Sequence, residues 1–208
     1  MKKFVNDPAN FVPEFMAGVL AANADLLEGN LEFQMIKRKN IDASKVAIVQ
    51  GSGSGHEPAH VMAVGPGMLT AACQGPVFAA PPVDACYETI KAAATDAGVL
   101  VLVNNYQGDR MAWDMACEMA EAEGIKLKQF IINDDVAVQD SLYTVGRRGV
   151  AGNFFVMKAA GALAEAIGNR VFAGGQVDVV VVVGVVGRAG DEIAVAHPGV
   201  VDQLPAFV

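Results

Sequence analysis

Three times along this chain a candidate strand gives way to a polar loop and then to a stretch of helical character. The first run, Val46–Val49, enters Gly51-Ser52-Gly53-Ser54-Gly55-His56, after which Glu57-Pro58 opens a helix. The second, Val99–Val103, enters Asn104-Asn105-Tyr106-Gln107-Gly108-Asp109-Arg110 ahead of a helix over Met111–Glu123. The third, Ile125–Ile132, ends in Asn133-Asp134-Asp135; a loop-like segment and a small-residue helix over Gly149–Ile167 follow. The first two of these strands, Val46–Val49 and Val99–Val103, are apolar throughout, as strands covered on both faces are. The repeat therefore predicts a single α/β domain over residues 1–208, with a mostly parallel sheet sandwiched between helices in three layers.

The remaining segments fit around that frame. Asn6-Asp7-Pro8 reads as a cap with a first-turn proline, ahead of apolar residues at helical spacing from Phe11 through Leu27. Leu31–Lys37 is a candidate strand, and Gly65-Pro66-Gly67 ends the helix that follows the glycine loop. Met68–Gly75 forms a short element, Val77–Ala80 a short strand, and Pro81-Pro82 leads into a helix over Val83–Ala97. The valine run Val177–Val186 is β-branched and extended. It completes or flanks the sheet within a divergent tail from about Arg170. An open edge there would invite pairing with a second copy, so a homodimer is expected.

Composition excludes several functions. A net charge of −8 argues against nucleic acid as a partner, because phosphate contacts need clustered cations, and the one short basic run, Lys37-Arg38-Lys39, reads as a solvated surface loop. The three cysteines, Cys73, Cys86 and Cys117, lack metal spacing and read as reduced core thiols. No apolar run reaches the roughly 18 residues of a membrane helix, and the N-terminus lacks the apolar segment of a signal peptide. A soluble, cytoplasmic protein with no membrane contact is the expectation.

Loops at the carboxyl ends of parallel strands converge on one pocket. His56, Asn104, Asp109 and the pair Asp134-Asp135 are thereby gathered. The glycine loop lacks the Lys-Ser/Thr ending of a P-loop, and its GxGxG spacing is not the dinucleotide fingerprint. His56 and Asp109 suit general acid–base work on a small polar substrate, although an aspartate at this position also suits a helix cap. His56 and His60, four residues apart, lack the third ligand a metal needs. Asp134-Asp135 reads as turn chemistry and Arg147-Arg148 as a surface pair.

Four motifs in order carry a family resemblance. KKFVNDPANFVPEFMAG, GSGSGHEPAH, NYQGDRM and NDDVAVQDSLYTVGRRGVAG together resemble the dihydroxyacetone kinase family, in its substrate-binding subunit or kinase domain, from residue 2 to about 168. The resemblance implies that Gly53, Ser54, Gly55, His56, Asn104 and Asp109 bind a short ketose, with His56 and Asp109 catalytic. It implies no metal or cofactor on this chain; the donor, ATP with Mg²⁺ or a phosphoryl-carrier protein, sits on a nucleotide-binding or carrier partner. Two features depart from the pattern. Asn104 stands where the family usually has lysine, which should weaken a substrate contact or alter the preferred ketose. The GIHGEPG-like motif whose histidine bonds the ketone covalently is absent from these 208 residues, and His197 in AHPGV does not match it. The resemblance thus implies phosphoryl transfer to dihydroxyacetone or a related ketose, with a non-catalytic ketose-binding or regulatory module as the rival.

Overall fold

The computed structural model describes residues 3–135, 137–138 and 146–167. Asp140-Ser141-Leu142-Tyr143, the valine run and His197 lie outside the described residues. Ten elements order the rest: α1 (Phe11–Ala22), β1 (Leu27–Asn30), β2 (Met35–Arg38), β3 (Ala47–Ser54), β4 (Ala71–Val77), α2 (Val83–Ala93), β5 (Val99–Asn104), α3 (Gln107–Ala122), β6 (Leu127–Ile132) and α4 (Asn153–Ile167).

The strands form one sheet in the order β1-β2-β4-β3-β5-β6. β4, β3, β5 and β6 run parallel, and the β1–β2 hairpin closes one side antiparallel. The expected three-layer arrangement is present. Side chains alternate along a strand, so β5 sends Val99, Val101 and Val103 to one face and Leu100 and Leu102 to the other. The first set packs with Cys86 and Ile90 of α2 and Trp113 of α3; the second packs with Met16 of α1 and Met157 of α4. Both faces are covered, which is why β5 needs no polar residue until Asn104. Cys73, Cys86 and Cys117 are free thiols buried together on the α2–α3 face. Burial raises the Cys86 thiol, with Cys73 beside it adding to the effect, and pushes Cys117 up to about 12. Among the described residues no helix is long and apolar enough to cross a membrane.

Several boundaries differ from the sequence expectation, each for a local reason. The first helix stops at Ala22, where Asn23 turns its side-chain amide back onto the Val19 carbonyl at 2.9 Å. The candidate strand over Leu31–Lys37 is instead the turn and second strand of a hairpin; Asn30 Oδ1 accepts the Glu32 N–H at 3.0 Å and fixes the turn. The segment after Glu57-Pro58 is not an α-helix but turns and one 3-10 turn, Val61–Ala63. There the His60 N–H goes to the Gln74 side-chain oxygen at 3.3 Å, withdrawing it from a helical ladder. α4 begins at Asn153, because Asp134 accepts the N–H groups of Val150 and Gly152 at 2.8 and 2.7 Å and holds that segment as a turn. The glycine run is largely strand: β3 continues through Ser54 along β4, with a register shift between Gly53 and Ser54.

Two helical glycines make opposite predictions. A Cβ on Gly161 would lie 2.4–2.6 Å from the Met68 backbone, whereas one on Gly18 meets nothing within 4 Å. Gly161→Ala should destabilise by roughly 1–3 kcal/mol through overpacking. Gly18→Ala should stabilise by about 0.5–1 kcal/mol through the unfolded chain's lost freedom. Urea unfolding of the two variants beside the parent chain checks both signs.

Candidate functional site

The carboxyl ends of β3 and β5, the first turn of α3 and the segment entering α4 surround a cavity of about 800 Å³. Ser52, Gly53, His56, Asn104, Asp109 and Asn153 are among its lining residues. This is where ligands bind open parallel sheets. The glycines beneath it make room for the protein's own chain. A Cβ on Gly53 would lie 2.7 Å from the Ala79 nitrogen, so the segment after β4 crosses directly over the strand end. Gly55 adopts φ +100°, a conformation open to glycine, against the Phe78 ring. That ring meets His56 edge to face at 5.4 Å between centroids, and the Glu57 carboxylate accepts the Gly55 N–H at 3.1 Å.

Asp109 sits in the first turn of α3, buried at 2% exposure. Extended Tyr106 takes the N-cap position, and no side-chain cap forms. The Asp109 carboxylate turns across the cavity wall instead, where Oδ2 accepts the Ser52 hydroxyl at 2.6 Å. Among the described residues none donates to Oδ1. Burial raises the carboxyl to about 6, with the Ser52 hydrogen bond acting in the opposite direction. A carboxylate with a pKa that close to neutrality can take up and release a proton at physiological pH.

A buried polar chain lies beside it. His60 Nδ1–H donates to Gln50 Oε1 at 3.0 Å, and Gln50 Nε2–H donates to Asn153 Oδ1 at 2.8 Å and reaches Asn104 Oδ1 at 3.5 Å. Burial, then the charge of His56, pushes His60 down to about 3, so it stays uncharged.

Of the residues singled out in the sequence, Gly53, His56, Asn104 and Asp109 line the cavity together. Ser54 does not; its hydroxyl donates to the Gly75 carbonyl within the sheet. Gly55 lies behind the rim, its N–H taken by Glu57. Asp134 holds the turn before α4, Arg148 lies over the Tyr106 ring at 5.6 Å, and Arg147 Nε–H donates to the Val138 carbonyl at 3.1 Å. No cluster of three metal-ligating side chains occurs among the described residues. Sequence reasoning missed Ser52, Gln50 and Asn153. Ser52 had a signal, since it lies two residues from Ser54 and alternates with the glycines. Gln50 and Asn153 sat in an apolar strand and a small-residue helix, where only the fold reveals that they face each other.

The Asp109 shift fixes a sign. Its folded pKa lies above the ordinary 3.8, so the folded chain holds a proton the unfolded chain has released between those values. The stability cost is absent at acid pH, grows as pH rises through that window, and is complete above about 6. Asp109→Asn keeps an acceptor for Ser52 and should raise the unfolding free energy at neutral pH by on the order of 2 kcal/mol. Denaturant unfolding at neutral and acid pH checks this: the gain should shrink as pH falls from about 6 toward 4.

Residues 17–171 match the Dak1 domain model. Over 164 residues the chain is 50% identical to the "PTS-dependent dihydroxyacetone kinase, dihydroxyacetone-binding subunit DhaK" of Lactococcus lactis, covering 79% of this chain and 49% of that one. Its fold is similar to the crystal structure of the dihydroxyacetone kinase of C. freundii in its native form, with a TM-score of 0.73 and 38% identity over 79% of this chain and 30% of that one. It is also similar to the "Dihydroxyacetone kinase operon co-activator Dha-DhaQ", with a TM-score of 0.69 and 33% identity over 73% of this chain and 46% of that one. The chain spans about half the length of the curated subunits it matches. On the extent of the domain match and the motifs within it, the chain belongs to the Dak1 domain family, alongside dihydroxyacetone kinases and their dihydroxyacetone-binding subunits.

Proposed function

We propose that this chain supplies the substrate pocket and an acid–base pair for phosphoryl transfer to dihydroxyacetone or a related short ketose, while a partner brings the donor. The observation that carries the reading is the Asp109 carboxylate, buried on the cavity wall with Ser52 on Oδ2, in a chain half identical to a dihydroxyacetone-binding subunit. Oδ1 then serves the substrate. As the donor's phosphorus approaches, the substrate oxygen forms the new O–P bond, the bond from phosphorus to the donor breaks, and the hydroxyl proton passes to Asp109. Burial makes that carboxylate a stronger base than a solvated one, and a well-placed general base contributes about 10²–10⁴-fold. His56 on the rim, steadied by Phe78, serves the hydroxyl from the other side. The donor, ATP with Mg²⁺ or a phosphoryl-carrier protein, belongs to the partner, and the complex works in the cytoplasm.

A second reading is favoured by the likeness to an operon co-activator. In it the same pocket binds the ketose and the chain signals occupancy instead of transferring phosphate.

Calorimetric titration of dihydroxyacetone into the full chain tests the pocket. Saturable heat is expected, weakened about tenfold or more by His56→Ala, consistent with roughly 1–3 kcal/mol for a lost buried polar partner. No heat at millimolar ketose overturns both readings. Adding the donor subunit then separates them. Ketose phosphorylation that falls by at least about 10²-fold in Asp109→Asn supports the enzyme, and binding without turnover supports the regulator.

A further inference from the structure

Asp109 and His56 account for one side of the cavity. Its other side is a wall of uncharged polar groups, of which only Asn104 has so far been given a part in binding the ketose. Gln50, His60, Asn104 and Asn153 are 0%, 1%, 6% and 6% exposed, and the last three line the cavity. Their hydrogen bonds run in one direction. Gln50 faces its carbonyl oxygen to the His60 Nδ1–H and its amide hydrogens to Asn153 and Asn104. A side-chain amide has one oxygen and one NH₂ group, and a neutral imidazole has one donor and one acceptor. Gln50 therefore has partners at both ends of its amide. Each asparagine has committed its oxygen and keeps its NH₂; His60 has committed its donor and keeps the Nε2 lone pair. Among the described residues none bonds Asn153 Nδ2, Asn104 Nδ2 or His60 Nε2. All three groups open on the cavity and not onto sealed protein, so an occupant that bonds them takes the place of solvent there.

We infer that His60, Asn104 and Asn153, aligned by Gln50, form a second recognition subsite of the cavity for the non-reacting end of a neutral hydroxyketone. The ligand's carbonyl or hydroxyl oxygen accepts from the asparagine amides, and a hydroxyl hydrogen goes to His60 Nε2. None of the four side chains carries a charge, since burial keeps His60 neutral. A phosphate or carboxylate would find no cation there, so the wall favours the unphosphorylated ketose over its product. The inference rests on the ketose reading and adds to it how the far end of the substrate is read. Gln50 is a positioning residue in this arrangement, whereas His60 and Asn153 touch the ligand.

The test is long-range ¹H–¹⁵N NMR of the histidine rings in the full chain, titrated with dihydroxyacetone. His60 should be the neutral Nδ1–H tautomer, and its Nε2 resonance should move with the same saturation curve as the His56 ring. Asn153→Leu should weaken ketose binding about tenfold, the upper end of what one neutral hydrogen bond contributes. A response at His56 with none at His60 Nε2 overturns the subsite and leaves the ketose reading standing. No response at either ring overturns both. Unchanged affinity in Asn153→Leu likewise overturns the subsite; should that variant not fold, the ring titration of the unaltered chain decides alone.

Discussion

The crossing of the chain over its own glycines is the constraint on which the rest depends. After β4 the segment Phe78–Pro81 lies so close to β3 and β4 that a Cβ on Gly75 would be 2.2 Å from the Ala79 oxygen, and one on Gly53 2.8 Å from the same atom. No side chain fits beneath it. Because the crossing is that low, Phe78 reaches Gly55 and His56, and α2 can start at Val83 directly over the sheet. The Phe78 ring against which His56 stands is thus placed by the backbone that leaves the neighbouring strand β4.

A second constraint is the burial of polar groups at the carboxyl end of the sheet. Gln50, Ser52 and Asn104 end otherwise apolar strands, and each finds a partner across an element boundary: His60 and Asn153, Asp109, and the Gln50 amide respectively. Trp113 adds to this by donating its indole N–H to the Gly51 carbonyl at 2.9 Å, fastening α3 to β3 one turn beyond Asp109. Low dielectric strengthens each of these bonds and penalises the loss of any one. The carboxylate at Asp109 is accordingly held by a short, dry framework, which is what a group with a shifted pKa requires.

Much of this was legible in the sequence, and the limits are physical. The apolar runs of β3 and β5 announced strands covered on both faces, and the motifs around His56 and Asp109 announced the family. The glycine run was harder. Glycine at alternate positions suits a ligand loop and equally suits a strand crowded from one face; only the position of Ala79, fixed by tertiary packing, decides for the strand. Glu57-Pro58 looked like a helix start because proline tolerates a first turn, but the pull of Gln50 and Gln74 on His60 outweighed that weak local preference. Asp109 was open between a cap and a reacting group until Ser52, on another element, gave its carboxylate somewhere else to go.

The three thiols gathered on the α2–α3 face have a consequence for how the molecule breathes. Burial keeps each from solvent, and a raised pKa keeps Cys86 and Cys117 protonated and slow to react. The described part of the α1–α4 face holds no cysteine at all. Alkylation of the folded chain is therefore a clock for one side of the sheet: its rate counts only those openings that lift α2 or α3. Excursions confined to the opposite layer leave no chemical trace.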